Sequence, residues 1–154
     1  MIKVKRSPTA DTRTCDWSKV TKEELLRSSQ SHIHDVRMGM GYFAIALVLA
    51  GGKHDFDKVS QEGLDAFHRD FVTGFKRTEW WDNHRKVNRH HINMDDGVRD
   101  DIDLLDVIEH VVDCIMAGMA RSGKVTDIFL EGGLLQKAVH NTMLKLVAQV
   151  EVED

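Results

Sequence analysis

Seven of the nine histidines fall between His32 and His91: His32, His34, the pair His54-Asp55, His68, His84 and the pair His90-His91. Three carboxylates follow at Asp106, Glu109 and Asp113. Neutral imidazoles and carboxylates are the ligands that divalent zinc, iron, manganese and nickel accept. The pair His54-Asp55 is the sharpest element. An imidazole and a carboxylate on one backbone corner can bind one ion, or let the carboxylate bridge two. Gly51-Gly52 just before it permit the dihedrals such a corner needs. Lys58, three residues on, can place an ammonium beside the site to meet an anionic substrate oxygen.

The spacing of the other candidates suits helices. His84, Asn88 and His91 at i, i+4 and i+7 share one helix face, and so do Asp106, Glu109 and Asp113. His90 is turned about 100° from His91 on an ideal helix, so both reach metal only if there are two ions or if the helix ends there. Asp106 reads as an acidic edge in the helix N-terminal half, where negative charge is favourable. Asp113 has Val112 and Cys114 as neighbours, and a carboxylate in that setting needs neutralising. His32 continues the apolar stripe of Val36, Met40 and Phe43, whereas His34 points away, which makes His32 the better first ligand. His68, His110 and His140 read as ordinary histidines.

Six segments must position these groups. Thr21 and Glu24 have capping-box spacing, so a short helix begins near Lys22. Val36, Met40, Phe43, Leu47 and Ala50 predict a helix over 31–50, ended by Gly51-Gly52. Further helices are predicted over 61–75 (Leu64, Phe67, Phe71, Phe75), 79–92 (Trp80, Trp81, Val87), 102–121 (Leu104, Ile108, Val111, Ile115, Met119) and 134–150 (Leu135, Val139, Met143, Leu146, Val150). A polar connection covers 94–101, and Gly123 is a stop. Residues 1–20, with the only proline, Pro8, read as irregular with a short extended piece at the start. No strand alternation stands out. The expected fold class is all-α, with about five to six helices.

The 154 residues fit one domain spanning 1–154, with 30–122 as its metal-binding core and 134–150 as a C-terminal helix. A content of 42% hydrophobic and 30% charged residues reads as globular. The net charge of −4 gives no reason to expect a polyanion, and Lys3, Lys5 and Arg6 are too few for a nucleic-acid face. Cys15 and Cys114 make no disulfide framework; Cys114 reads as a buried small hydrophobe. The apolar run over 42–50 is too short to span a bilayer, and the N-terminus lacks a signal-peptide core. A cytoplasmic protein, away from membranes and as a possible homo-oligomer, is the expectation.

These residues resemble the HD-domain superfamily of metal-dependent phosphohydrolases, whose signature is a His, then a His-Asp pair, then a distant Asp on a small helical bundle. His32, in HIHDV, stands for the first position, then His54-Asp55, then Asp113. His84 and His90-His91 look like the longer pattern of members with two metal ions. The segments His54-Asp-Phe-Asp-Lys58-Val-Ser60, Asn88-Arg-His-His91 and Glu109-His-Val-Val-Asp113 are similar to a family of small uncharacterised HD-like proteins. The likeness covers roughly 30–122.

The resemblance implies an HD-like bundle and two divalent ions, of Mn, Fe, Ni or Zn. His32, His54, Asp55 and Asp113 would hold one ion. Asp55 would bridge to a second on His84 and His91, with His90 as a further ligand. A metal-activated water would attack a small phosphorylated substrate, possibly a nucleotide. Lys58, Arg85 or Arg89 would offset phosphoryl charge, and Glu109 would act as a base or orient a ligand histidine. Asp55, Lys58 and Glu109 are thus the expected catalytic residues. Two alternatives stand beside this: a di-iron oxygenase on the same ligand pattern, and a non-catalytic interaction module anchored by Trp80-Trp81.

Overall fold

Thr21 and Glu24 form the expected reciprocal cap. The Glu24 backbone N–H donates to Thr21 Oγ1 (3.2 Å) and the Thr21 N–H to Glu24 Oε2 (2.9 Å). From there α1 runs unbroken over Lys22–Lys53. No glycine or proline separates 22 from 31, so the two expected helices are one. Gly51 and Gly52 lie inside it rather than ending it. The computed structural model describes residues 1–7, 9, 13, 15–76, 78–92 and 97–153; part of the expected 94–101 connection lies outside them.

After α1 come α2 (Phe56–Val59), α3 (Gln61–Val72), α4 (Glu79–Val87), α5 (Leu104–Asp113), a π-helical segment (Cys114–Met119), α6 (Ala120–Ser122) and α7 (Gly132–Val147). Helix dominates, so the class is all-α. A short 3-10 turn covers Trp17–Lys19. β1 (Ile2–Lys5) and β2 (Val150–Glu153) pair in parallel, Ile2 opposite Val150 and Lys5 opposite Glu153. The expected C-terminal helix therefore stops at Val147. Val150-Glu-Val-Glu153 alternates apolar and acidic residues, which suits a strand, and Lys3 pairs with Glu153 across it.

The chain divides into two compact units, 1–45 with 143–154 and 46–142; the expected core over 30–122 straddles that division. The first unit holds the strand pair and most of α1. α1 has no buried residue. By length and composition alone, the helix over Lys22–Val59 is long enough and apolar enough to cross a membrane, although the run over 42–50 by itself is not. The second unit has its core at Ile92, Ile102, Val107, Leu134 and Ala138. α5 starts in a capping box: Asp103 accepts from the N–H groups of Leu105 and Asp106, and Asp106 Oδ2 accepts from the Asp103 N–H. Asp106 is buried and not the expected exposed edge. It is held by a two-pronged bond from Arg89, Nε to Oδ1 and Nη2 to Oδ2, both 2.7 Å.

Candidate metal centre

All of the centre lies in the second unit. His54 and Asp55 follow the end of α1. Asp55 sits at φ 52°, ψ 29°, the left-handed region that costs an ordinary residue about 1 kcal/mol. The corner conformation expected of Gly51-Gly52 is thus carried by Asp55 itself. The turn also brings Asp57 inward at the start of α2, where it is buried. α3 crosses this corner closely. A Cβ on Gly63 would stand 1.7 Å from the Asp57 carbonyl oxygen, so only glycine fits.

α4 ends at Val87, before His90-His91, instead of running to 92. Both imidazoles therefore lie in a turn and escape the 100° separation a helix would impose. The start of α4 is set from α3: Asp70, buried, accepts from the backbone N–H groups of Trp80 (3.1 Å) and Trp81 (3.2 Å). Trp80 is buried and stacks on His84, ring centroids 4.5 Å apart. Trp80 is thus a wall of the site, while its neighbour Trp81 is half-buried. His110, set aside in the sequence, bonds through Nδ1 to the His90 carbonyl (3.0 Å) and so holds the turn.

Three of the imidazoles, His54, His84 and His90, share one pattern of anchoring. Glu109 Oε1 accepts from His54 Nδ1 (2.9 Å) and from His90 Nδ1 (3.1 Å). Asp57 takes His84 Nδ1 at 2.9 Å, and Asn88 Nδ2 donates to the same carboxylate (2.8 Å). A carboxylate on Nδ1 fixes the tautomer and leaves the Nε2 lone pair as the donor, as in metal-bound histidines. The freed Nε2 atoms converge. His84 Nε2 lies 2.9 Å from His91 Nε2 and 3.4 Å from Asp55 Oδ1. His90 Nε2 lies 3.5 Å from Asp55 Oδ1. His54 Nε2 lies 3.4 Å from Asp113 Oδ1 and 3.5 Å from Asp55 Oδ2.

Two groups result whose ligand atoms all fall within 4.8 Å of one another: Asp55, His84, His90 and His91; and His54, His90 and Asp113. Six of the seven expected ligands are brought together. The seventh, His32, belongs to neither group; it is exposed and lines a cavity of the first unit. The shared residue is His90, whereas Asp55 sends one oxygen toward each group. Lys58 donates to Asp55 Oδ2. Arg89, considered as a phosphoryl contact, is committed to Asp106 and Asp101. Arg85 pairs with Asp82.

The donor set fits a metal ion. Ligand atoms bound at 2.0–2.2 Å stand about 2.8–3.6 Å apart for angles of roughly 90–110°, which spans the separations above. Asp55 Oδ1 and His90 Nε2 are buried and lack any hydrogen-bond partner, which is costly without a cation. Four carboxylates (Asp55, Asp57, Glu109, Asp113) gather around these imidazoles, and Lys58 pairs with one of them, Asp55. Burial disfavours the Asp55 charge, yet the Lys58 bond and charge outweigh it and hold Asp55 below the usual carboxylate range. Burial, then His90 and His84, push His91 down to about 3. Burial, then His54, lower His90 against the pull of Glu109, Asp55 and Asp113. Both rings are neutral at pH 7, the state in which imidazole binds metal.

Asp57 and His110 are the contributors that sequence reasoning did not assign, and Asn88, grouped there with His84 and His91, acts through Asp57. Asp57 had a signal, two residues after His54-Asp55 in the same short segment. Cys114, expected to be buried, is half-buried, 3.7 Å from His110 Nε2. Together these side chains form a group of histidines and carboxylates able to hold a metal ion. No protein-family model, curated protein or solved structure matches the chain.

Proposed function

We propose that this centre binds divalent transition-metal ions, two per chain, and hydrolyses small phosphate esters. The observation that carries the reading is the pair of buried, unpartnered ligand atoms, Asp55 Oδ1 and His90 Nε2, 3.5 Å apart within the two ligand groups. An imidazole Nε2 serves one ion, so His90 belongs to one group at a time. Asp55, with an oxygen toward each, would serve both. Bound metal supplies Lewis acidity and a water acidic enough to be deprotonated near neutral pH.

The chain's own residues supply the rest. Glu109 and Asp57 orient His54, His90 and His84 through their Nδ1 atoms. Of the two roles expected for Glu109, base or orienter of a ligand histidine, the bonds of its Oε1 to two imidazoles support the second. Lys58 holds Asp55 ionised and sets a positive charge where phosphoryl oxygens gather charge.

Elemental analysis of protein purified without chelator, beside Asp55→Ala, tests the reading. About two transition-metal ions per chain, lost in the variant, together with phosphate release from model monoesters, is the expected result. Bound iron with oxygen uptake and no phosphate release would replace hydrolysis by oxygenase chemistry. No metal after reconstitution with manganese, iron, nickel or zinc would overturn the assignment.

A further inference from the structure

A cavity of about 430 Å³ shares three residues with the metal centre: His54, Glu109 and Asp113. Its remaining wall is apolar, chiefly Leu47, Ile108, Val112 and Met116. Ile108, Val112 and Met116 recur every four residues along α5 and the π-helical segment. They are 44%, 53% and 60% exposed, although α5 has the clearest amphipathic pattern in the chain. No lysine or arginine lines the cavity. Its polar residues are already engaged: Glu109 by two imidazoles, His54 by Glu109, and Asp113 by the His54 Nε2 side.

Resting on the hydrolase reading above, we propose that the substrate is a phosphate monoester of an apolar alcohol, its hydrocarbon part seated against Leu47, Ile108, Val112 and Met116. The chemistry of the wall selects this class over a nucleotide. A nucleobase edge carries donors and acceptors that would find no free partner there, and unpaired buried polar groups are penalised. A di- or triphosphate needs cations for its outer phosphates beyond the metal ions that would hold the reacting one. Among the described residues near the ligand groups, Lys58 supplies the ammonium, while Arg89 is held by Asp106 and Asp101. A volume near 430 Å³ is within the range of small-molecule sites and takes a chain of several carbons. Its position beside His54 and Asp113 lets one molecule place its phosphoryl group at the ligand atoms and its alkyl group on the stripe.

The test is calorimetric binding of methyl-, butyl- and hexylphosphonate, which cannot be hydrolysed as esters, to protein reconstituted with manganese. Each buried methylene is expected to tighten binding about fourfold until the cavity is filled. Val112→Asp or Met116→Glu, both at exposed positions, should bring hexylphosphonate down to the affinity of methylphosphonate. Affinity independent of chain length overturns the proposal while leaving the hydrolase reading intact. It does so more firmly if Val112→Asp also turns a dimer into a monomer in sedimentation, since the stripe would then be a subunit interface. Length-dependent binding with no hydrolysis of the matching alkyl phosphates supports the cavity assignment and sinks the hydrolase reading. No binding of any phosphonate overturns both.

Discussion

Glu109 offers the most direct perturbation of the centre. Its Oε1 accepts from His54 Nδ1 at 2.9 Å and His90 Nδ1 at 3.1 Å, so one oxygen orients an imidazole in each ligand group. Removing a carboxylate behind a metal-bound histidine costs about 10–100-fold in affinity. Two histidines lose their anchor in Glu109→Ala, and taking the lower figure for each gives a loss of about 100-fold, or about 2.7 kcal/mol. Glu109→Gln keeps an amide oxygen able to accept one Nδ1–H, so a loss of about tenfold is expected. The assay is zinc competition against a chromophoric chelator at fixed pH, with far-UV circular dichroism to show that the helices persist. His54→Ala, which removes a ligand outright, sets the upper limit, and the exposed Glu62→Ala sets the baseline. An affinity for Glu109→Ala within threefold of the parent, with His54→Ala still inactive in binding, would refute the idea that this carboxylate organises the site.

Other perturbations act on separate supports. Gly63→Ala would drive a Cβ into the Asp57 carbonyl; unfolding in urea should show a loss of about 2–4 kcal/mol, with weakened metal binding because Asp57 anchors His84. Arg89→Ala leaves the buried Asp106 without its two-pronged partner and should destabilise by about 2–4 kcal/mol, whereas loss of the exposed Asp101 arm in Asp101→Asn should be hard to detect by the same melt. Metal-stripped protein should lose stability as pH falls. His91 is held at about 3 in the fold, against about 6.5 in an unfolded chain. Between those values the unfolded state binds the extra proton, so stability is full above about 6.5 and declines toward 3. At pH 5 the loss from this half-buried ring, reduced by solvent screening, is about 1 kcal/mol. Equal urea midpoints at pH 7.5 and pH 5 would contradict that placement of His91.

Residue types and spacing make much of the centre legible in the sequence. His54-Asp55, His84, His90-His91 and Asp113 are readable as candidates because histidines are few and stand here in a recognisable order. Their supports are less so. Asp57 and Asn88 act through contacts that span 27 and 31 residues of chain, Asp57 with His84 and Asn88 with Asp57, and no local period encodes such a bond. His32 stands apart from both ligand groups; on its stripe Val36 and Met40 are exposed, and amphipathic spacing says which residues share a face, not what covers it. The end of α4 escapes sequence reading for a related reason. Val87-Asn88-Arg89 contains no strong breaker, and the chain leaves the helix where Asn88 turns to extended backbone and bonds Asp57. The strand at 150–153 is hidden by the helical period leading into it, because a partner at the opposite terminus, Ile2–Lys5, decides its state.

The same tertiary bonds explain why the centre sits where local preference is violated. Asp55 adopts a left-handed backbone without being glycine, Gly63 admits no side chain, and Asp113 is followed at once by a π-helical segment. Left-handed non-glycine residues and π turns both cluster at functional sites, because each gives up stability to aim a side chain. Here the aim is common to all three. The Asp55 corner turns its carboxylate between the ligand groups, the Gly63 crossing fixes the corner that carries Asp57, and the π segment changes the helical phase directly after Asp113. Such strain, with four carboxylates gathered around the imidazoles, raises the energy of the metal-free chain. A cation that engaged the converging Nε2 and carboxylate oxygens would offset it, and the stability of this unit would then rise with occupancy of its centre.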